Sequence, residues 1–183
     1  MQFQKTSRRP IVQTLLKTAL LTGCIAFGAT ALRTPVAVAQ SGLTIFSGIK
    51  SGEELSYSLD FGGQPNQTDR YYLKIKKAKM QLAVSKFVIT YPDYFDGQFN
   101  PKDIEIQVNG KSVAINEVNW DKDNYRLEIY PEEAVPAKKD VELVLSDVTN
   151  PDGGMYYFNC YTQSPGDVPI LRKLGTWIIS ISR

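Results

Sequence analysis

The sequence predicts an all-β protein: an immunoglobulin-like antiparallel β-sandwich of about nine strands that follows a cleaved signal peptide. Three observations lead to this prediction. From residue 55 onward, apolar and polar residues alternate in short runs, which places one set of side chains on a single face of a sheet. Clusters of Gly, Pro, Asn and Asp separate these runs, as turns separate strands. No stretch of ten residues shows the 3.6-residue period of an amphipathic helix.

Residues 1–39 carry the parts of an export signal. Arg8 and Arg9 lie in a basic leading segment, residues 18–32 form an apolar run, and residues 37–39 read Ala-Val-Ala, a typical cleavage site. As a helix the apolar run is about 22 Å long, short of the ~30 Å core of a bilayer, so no transmembrane span is expected in the mature chain. We therefore expect residues 40–183 to form a single β-sandwich domain in the periplasm, the cell envelope or outside the cell.

Two alternatives for export stay open. Residues 21–24 read Leu-Thr-Gly-Cys and resemble a lipobox, in which Cys24 would be lipidated, although the apolar run continues past this cysteine. The pair Arg8-Arg9 resembles a twin-arginine signal, so the route can be either the general secretory or the twin-arginine one.

Nine segments are predicted as strands, in chain order: 43–46, 55–61, 71–76, 86–91, 104–108, 125–129, 141–146, 155–161 and 176–182. The segments 55–61, 104–108, 125–129 and 141–146 alternate apolar and polar residues, as strands with one wet face do. The others lie between turn signals. Asn109-Gly110 predicts a type I′ hairpin turn after the fifth segment, because both central residues of that turn need positive φ.

The net charge and the cysteine content exclude some classes of function. The signal contains five basic residues and no acidic one, which leaves residues 40–183 with 16 basic and 19 acidic residues, a net charge of −3. We therefore expect no nucleic-acid partner. Once Cys24 is removed, Cys160 has no disulfide partner in the chain, and its place in an alternating strand predicts a core residue.

The chain contains no histidine, which removes the commonest general base and the commonest metal ligand. The adjacent pairs Glu53-Glu54 and Glu132-Glu133 would point apart on an extended backbone, unlike the paired carboxylates of a glycosidase. We predict no enzyme, no catalytic residue, no cofactor and no metal site.

One passage resembles a known family. Residues 148–158 read Val-Thr-Asn-Pro-Asp-Gly-Gly-Met-Tyr-Tyr-Phe: a strand ending in Val-x-Asn-Pro, a glycine turn and a strand opening with Tyr-x-Phe. This pattern resembles an uncharacterised exported family of cyanobacteria, filed as domain of unknown function 2808. Leu-Thr-Ile-Phe at 43–46 and the passage 131–140 that leads into 141–143 support it, so the resemblance covers most of residues 43–182. It implies fold and export and assigns no functional residue.

An aromatic loop is the first candidate for a partner surface. Tyr91, Tyr94, Phe95 and Phe99 lie in a segment with Pro and Gly after a strand, with aspartates that would accept hydrogen bonds. Apolar side chains on a loop are buried either by a partner or by the protein itself. We therefore predict a contact surface for sugar or protein, with a loop that plugs the open end of the sandwich as the alternative.

Two lysines are the second candidate. Lys74 and Lys76 share one face of a predicted strand and form a basic stripe that would meet anionic lipid heads or acidic polysaccharide. The alternative is an edge strand that its lysines protect from pairing with other chains.

Two further patterns carry alternatives. Tyr156, Phe158 and Cys160 share one face of a strand, so the tyrosines at 157 and 161 share the other; that second row is either exposed, for a glycan or peptide, or packed under residues 166–173. The segment 121–124 reads Asp-Lys-Asp-Asn, which favours a turn over a calcium loop.

These observations predict a non-enzymatic exported envelope protein of unknown specific role, a binding or structural module whose partner is envelope polysaccharide or another envelope protein. The mechanism would be recognition by the aromatic loop or strand addition at an open sheet edge. A subunit of a larger envelope protein assembly is the alternative, and a hydrolase that works without histidine is the third class.

Overall fold

The computed structural model of the protein describes residues 49–168 and 170–182. The predicted signal peptide (1–39), the lipobox cysteine Cys24 and the predicted strand at 43–46 lie outside the described residues. The described part of the chain contains eleven strands and one short 3-10 helix, Pro101–Asp103. The strands are β1 (Glu54–Leu55), β2 (Tyr57–Leu59), β3 (Thr68–Ile75), β4 (Lys86–Thr90), β5 (Ile104–Val108), β6 (Lys111–Val113), β7 (Ile115–Asp121), β8 (Arg126–Pro131), β9 (Val141–Thr149), β10 (Gly154–Gln163) and β11 (Leu171–Ile181).

The strands form two sheets. The six-stranded sheet has the order β1-β11-β10-β4-β8-β7, and the five-stranded sheet has the order β2-β3-β9-β5-β6. Neighbouring strands are antiparallel, except that β1 runs parallel to β11. In an immunoglobulin-like sandwich, strands A, B, E and D form one sheet, and C, F and G form the other. β2, β3, β9 and β5 occupy the first four positions, while β4, β10 and β11 occupy the other three, so the predicted fold class is confirmed.

The core lies between the sheets and is built by the predicted alternation. Along β10, the side chains of Tyr156, Phe158 and Cys160 are buried and the intervening ones face outward. Trp177 from β11 is fully buried against them, and the five-stranded sheet contributes aliphatic side chains such as Leu143. Burial of large side chains of this kind is the main favourable term in folding.

Cys160 is a core residue, as predicted. Its side chain has no exposed surface and forms no disulfide. Burial raises the pKa of its thiol, so the reactive thiolate is disfavoured.

The hairpin turn between β5 and β6 is also confirmed. Asn109 has φ 49° and Gly110 has φ 76°, the left-handed pair that a type I′ turn requires. Gly110 adopts this conformation without the strain that a side chain would add.

The predicted strand at 55–61 is two strands in the structure. The chain leaves the six-stranded sheet after Leu55 and enters the five-stranded sheet at Tyr57. Gly175 on β11 allows β1 to approach β11, because a Cβ added at this position would lie only 2.2 Å from the carbonyl oxygen of Glu53. Sequence alternation cannot show such a change of sheet, since both strands keep the same period.

β1 pairs with only two residues of β11, and the rest of that edge toward the end of β11 is occupied by hydrogen bonds from other parts of the chain. The amide of Ser180 donates to the Tyr57 hydroxyl at 2.9 Å, and the amide of Ser182 donates to the Gly63 carbonyl at 3.0 Å. β7, with seven residues, is therefore the longest edge strand in the described part of the chain. The predicted strand addition would use this edge.

None of the helical structure within residues 49–168 and 170–182 reaches the length and apolarity that a membrane span requires.

Candidate functional site

Most of the predicted aromatic surface is inside the protein. Tyr91, Phe95 and Phe99 belong to the core, so the prediction that they form a partner surface is wrong for these three. Their rings pack against Phe158 of β10 and against one another, with centroids 5.0 to 6.1 Å apart; most pairs are edge-on, and Phe95 stacks on Phe99. Trp120 on β7 donates to the Tyr91 hydroxyl at 2.7 Å. The loop closes one end of the sandwich, which is the alternative that the sequence left open.

Tyr94 is the exception in this loop. Its side chain is 57 % exposed, and its ring lies 5.7 Å from that of Tyr156. The backbone of this loop packs closely against the end of β9, because a Cβ added at Gly97 would lie only 2.7 Å from the carbonyl oxygen of Thr149. A single exposed ring on a rigid loop offers little area to a partner.

The two predicted lysines lie on the outer face of the five-stranded sheet and at its end. Lys74 lies 3.9 Å from Glu142 on the neighbouring strand, and Lys76 is exposed just beyond β3. A depression of about 320 Å³ beside them is also lined by Asp140 and Glu142, so carboxylates accompany the lysines there. The structure therefore does not bring the six predicted surface residues together into one site.

A different surface stands out on the outer face of the six-stranded sheet. The tyrosine row at positions 157 and 161 lies there, and Tyr157 is 42 % exposed. The alternative that residues 166–173 cover this row is wrong, because residues 171–173 belong to β11 and pair beside β10. We call the surface the tyrosine face and define it by five residues of β8, β10 and β11: Met155, Tyr157, Tyr161, Ile178 and Tyr130.

The register places these side chains next to one another. Tyr157 is directly opposite Ile178 on β11, and Tyr161 is directly opposite Val88 on β4. Asn159, between the two tyrosines, accepts a hydrogen bond from the Thr176 hydroxyl at 2.8 Å. Cross-strand neighbours at this spacing present a continuous surface.

At one side of the tyrosine face, two basic side chains share one carboxylate. Glu128 is opposite Val88 and accepts from Tyr130 at 2.6 Å, and its carboxylate also lies 3.3 Å from Lys86 and binds Arg126. Val88, between Glu128 and Tyr161 on the neighbouring strands, is almost fully buried although it points away from the core. The cluster leaves a polar patch with one excess positive charge beside the tyrosines.

The same contacts set the ionisation of the cluster. Burial opposes the charged form of Glu128, but the Tyr130 hydrogen bond and the charges of Arg126 and Lys86 outweigh it, so the pKa of Glu128 is lowered. The hydrogen bond to Glu128, together with burial, raises the pKa of Tyr130 to about 12.

Replacing this carboxylate tests the cluster. We expect Glu128→Gln to lower the free energy of unfolding at neutral pH by about 1–3 kcal/mol, since Lys86 and Arg126 would lose their counter-charge. A carboxylate whose pKa falls on folding stabilises the folded state above its unfolded pKa, and this contribution disappears as the pH falls through the lowered value. Denaturant unfolding should therefore show a difference between the variant and the parent that shrinks as the pH falls below the ordinary pKa of a glutamate. A difference independent of pH would contradict the role of the charge.

The outer face of the five-stranded sheet is of another kind. Arg70 lies 3.7 Å from Asp60, and Lys74 pairs with Glu142. Glu105 on β5 accepts from Ser112 at 3.1 Å. Exposed charges and short polar side chains of this type are ordinary for a face in contact with water.

The segment 121–124 is a turn, as predicted. Both carboxylate oxygens of Asp121 accept hydrogen bonds from Asn124, one from its amide at 3.2 Å and one from its side chain at 2.7 Å. These bonds lower the pKa of Asp121. Lys122 lies over the Trp120 ring, 4.0 Å from its centroid.

Sequence reasoning found only two of the five residues of the tyrosine face. It found the tyrosines of β10, because they alternate with core residues, but not Val88, Tyr130 or the Glu128 cluster. Strand pairing places β4 next to β10 and β8 next to β4, and local sequence patterns do not predict which strands pair.

No curated protein matches the sequence. Among solved structures, BslA, described as a bacterial hydrophobin, is 15 % identical with a TM-score of 0.45, and the match covers 70 % of this chain and 92 % of BslA. An uncharacterised protein from Nocardia farcinica with an immunoglobulin-like fold is 9 % identical with a TM-score of 0.44, covering 71 % and 99 %. The collagen adhesin CNA from S. aureus is 9 % identical with a TM-score of 0.38, covering 68 % and 48 %. Likenesses this weak carry no argument about function.

The sequence itself places the chain more firmly. The model of the family described as "Protein of unknown function (DUF2808)" matches residues 43–181, which span the passages 148–158 and 131–143 that carried the resemblance. The chain belongs to the family of proteins of unknown function DUF2808.

Proposed function

We propose that this protein is a non-enzymatic binding or structural module of the cyanobacterial cell envelope that holds another envelope protein against its tyrosine face. The observation that carries the proposal is the contrast between the two outer sheet faces. One presents tyrosine, methionine and isoleucine on neighbouring strands, whereas the other surrounds the half-buried Tyr72 with ion pairs and polar side chains.

The composition of the tyrosine face suits a protein partner. The centres of protein interfaces are depleted in charge and enriched in Tyr and Met relative to other surfaces. Met155 is 54 % exposed at one end of β10, two residues before Tyr157, and the charged groups at the other side are already paired with one another. A partner that covers this face would bury aromatic area without leaving an isolated charge unpaired.

Polysaccharide is the second candidate. Tyr157 and Tyr161 lie on one face of β10 four residues apart, about 13 Å at the rise of an extended strand. Two aromatic rings at this distance would stack on separate sugars of one chain. The polar groups of Asn159 and Thr176 between them already bond to each other, which leaves fewer partners for sugar hydroxyls and favours protein.

The remaining parts of the proposal rest on other grounds. Export rests on the arrangement of residues 1–39, and the absence of enzymatic activity rests on the lack of histidine. Among the described residues, the perturbed pKa of Cys160 is explained by burial and that of Glu128 by its ion pairs, so neither calls for a catalytic role.

The test compares one tyrosine on each sheet face. Tyr157→Thr removes the ring and keeps a residue that favours strands, so the protein should fold normally and lose retention on envelope fractions by about tenfold or more. Tyr72→Thr, at a half-buried position on the outer face of the five-stranded sheet, is the matched control and should bind like the parent. Retention is measured by co-sedimentation of the isolated protein with envelope membranes at high salt, where attraction to lipid charge is screened, and with protein-free polysaccharide.

The two fractions separate the candidates. Loss of retention on the protein-containing fraction, with no binding to polysaccharide in any variant, is the result that the proposal expects. Binding to protein-free polysaccharide that Tyr157→Thr abolishes would replace the protein partner by a glycan. Equal losses for Tyr157→Thr and Tyr72→Thr would reject the tyrosine face.

A further inference from the structure

The end of the sandwich opposite the aromatic loop is made of four neighbouring segments. We call it the basic end and define it by residues 49–53, 76–85, 132–140, and 164–168 with 170–173. Hydrogen bonds hold these segments together. The amide of Lys138 donates to the Met80 carbonyl at 2.6 Å, the amide of Ser85 donates to the Gln163 carbonyl at 2.9 Å, and the Arg172 guanidinium donates to the Lys79 carbonyl at 3.3 Å.

Large aliphatic side chains are exposed at this end. Val168 and Ile170 are each 69 % exposed, Leu171 follows them at the start of β11, and Leu82 is exposed on the next loop. The rest of the described chain sends most of its aliphatic side chains into the core. Clustered aliphatic side chains on protruding loops have no role in packing the domain, and they mark a surface that meets an apolar phase or partner.

The same end is basic in an acidic domain. Its segments hold eight basic and five acidic residues, whereas the loops at the opposite end, 60–67, 91–103, 122–125 and 150–153, hold two basic and six acidic residues. The segment 76–85 has three lysines and no acidic residue. The molecule therefore has a positive end and a negative end, and an anionic surface would attract the positive one.

Several lysines of the basic end are free to bind an anionic partner. Lys76, Lys77, Lys138 and Lys139 are exposed and take part in no ion pair among the described residues. Two of the five carboxylates are engaged: Glu53 lies 3.4 Å from Lys173, and Asp140 accepts from the amide of Lys77 at 2.8 Å. The others are Asp167, Glu132 and Glu133, of which the two glutamates lie in the segment that also carries Lys138 and Lys139.

We infer that the basic end docks on an anionic lipid surface, with Leu82, Val168, Ile170 and Leu171 entering the headgroup region and the surrounding lysines contacting lipid phosphates. Protruding aliphatic side chains together with exposed cations form the combination that interfacial membrane binding uses. A soluble acidic polymer would engage the lysines and leave the aliphatic side chains in water. The tyrosine face lies on the side of the sandwich and adjoins the basic end where Lys173 is opposite Tyr161, so its part around Tyr157 would stay open to a partner.

Vesicle flotation tests this inference. The protein as isolated from expressing cells is mixed with vesicles of phosphatidylcholine alone or with about 30 % phosphatidylglycerol. We expect binding to the anionic vesicles that weakens as salt is raised, and much weaker binding to the neutral ones. Val168→Ser with Ile170→Ser, and separately Lys77→Glu with Lys138→Glu, should each weaken binding about tenfold or more.

The acidic end supplies matched controls. Lys102→Glu with Lys122→Glu makes the same change of net charge there, and Phe61→Ser with Tyr94→Ser removes two exposed apolar side chains from that end. Both should bind like the parent. Any contribution of residues 18–32 is the same in every variant and cancels in the comparison.

Three outcomes would overturn the inference. The first is no binding to anionic vesicles. The second is an equal loss for the matched variants of the acidic end. The third is a loss of binding with the lysine variant but none with the Val168→Ser and Ile170→Ser variant, while the parent binds dextran sulfate as strongly as anionic vesicles. This result would assign the basic end to a soluble polyanion.

Discussion

Phe95→Ala is expected to lower the free energy of unfolding by about 3–5 kcal/mol, the range found when a buried phenylalanine is truncated. Phe95 is 4 % exposed, and its ring lies 5.0 Å from that of Phe158 and 5.3 Å from those of Tyr156 and Phe99. The loop cannot collapse into the space, because Gly97 and Thr149 already hold its backbone in close contact. Equilibrium unfolding in denaturant measures the change.

The neighbouring residue is the matched control. Tyr94 is largely exposed, so Tyr94→Ala should change stability by less than about 1 kcal/mol. The comparison decides what the aromatic loop is for. A Phe95→Ala protein that keeps its stability but no longer binds envelope fractions would contradict the core assignment and restore the loop as a recognition surface.

Asp69→Ala should be comparably severe, with a loss on the order of 3 kcal/mol or more, because several backbone donors would lose their acceptor together. Asp69 is almost fully buried, and its carboxylate accepts from the amides of Phe61 at 2.9 Å, Gly63 at 2.8 Å and Arg70 at 2.7 Å. It thereby holds the loop between β2 and β3 against the sandwich. The midpoint of thermal or denaturant unfolding reports the loss.

Two variants calibrate this prediction. Asp69→Asn keeps one oxygen acceptor at the same place and should lose less than Asp69→Ala. Asp60→Ala removes an exposed carboxylate from the same loop and should stay within about 1 kcal/mol of the parent. If Asp69→Ala unfolds no more easily than Asp60→Ala, the hydrogen bonds to Asp69 do not hold this loop.

Local patterns were enough to predict most of the strands. All eight predicted segments that fall within the described residues contain strand. The clear omission is β7, whose sequence reads Ile-Asn-Glu-Val-Asn-Trp-Asp. The pairing of β7 with β8 is irregular between Ile115 and Glu117, so the apolar residues at 115, 118 and 120 do not keep a period of two. A bulge hides a strand from any search for alternation.

The candidate site depended on contacts that no local pattern contains. Phe95 and Phe99 resemble loop residues in the sequence, and they become core residues because side chains of distant strands, Phe158 among them, pack against them. Lys74 looks like part of a basic stripe until β9 brings Glu142 beside it. Alternation fixes which residues share a face of one strand, whereas the neighbours on that face come from strand order.

The tyrosine face is tested most directly by site-specific photo-crosslinking in living cells. A benzophenone side chain is placed at position 157 and, in a second strain, at position 72 on the opposite outer face. The proposed function predicts one discrete protein adduct from position 157 and none from position 72. Adducts of equal yield from both positions, or none from position 157 in folded protein, would contradict it.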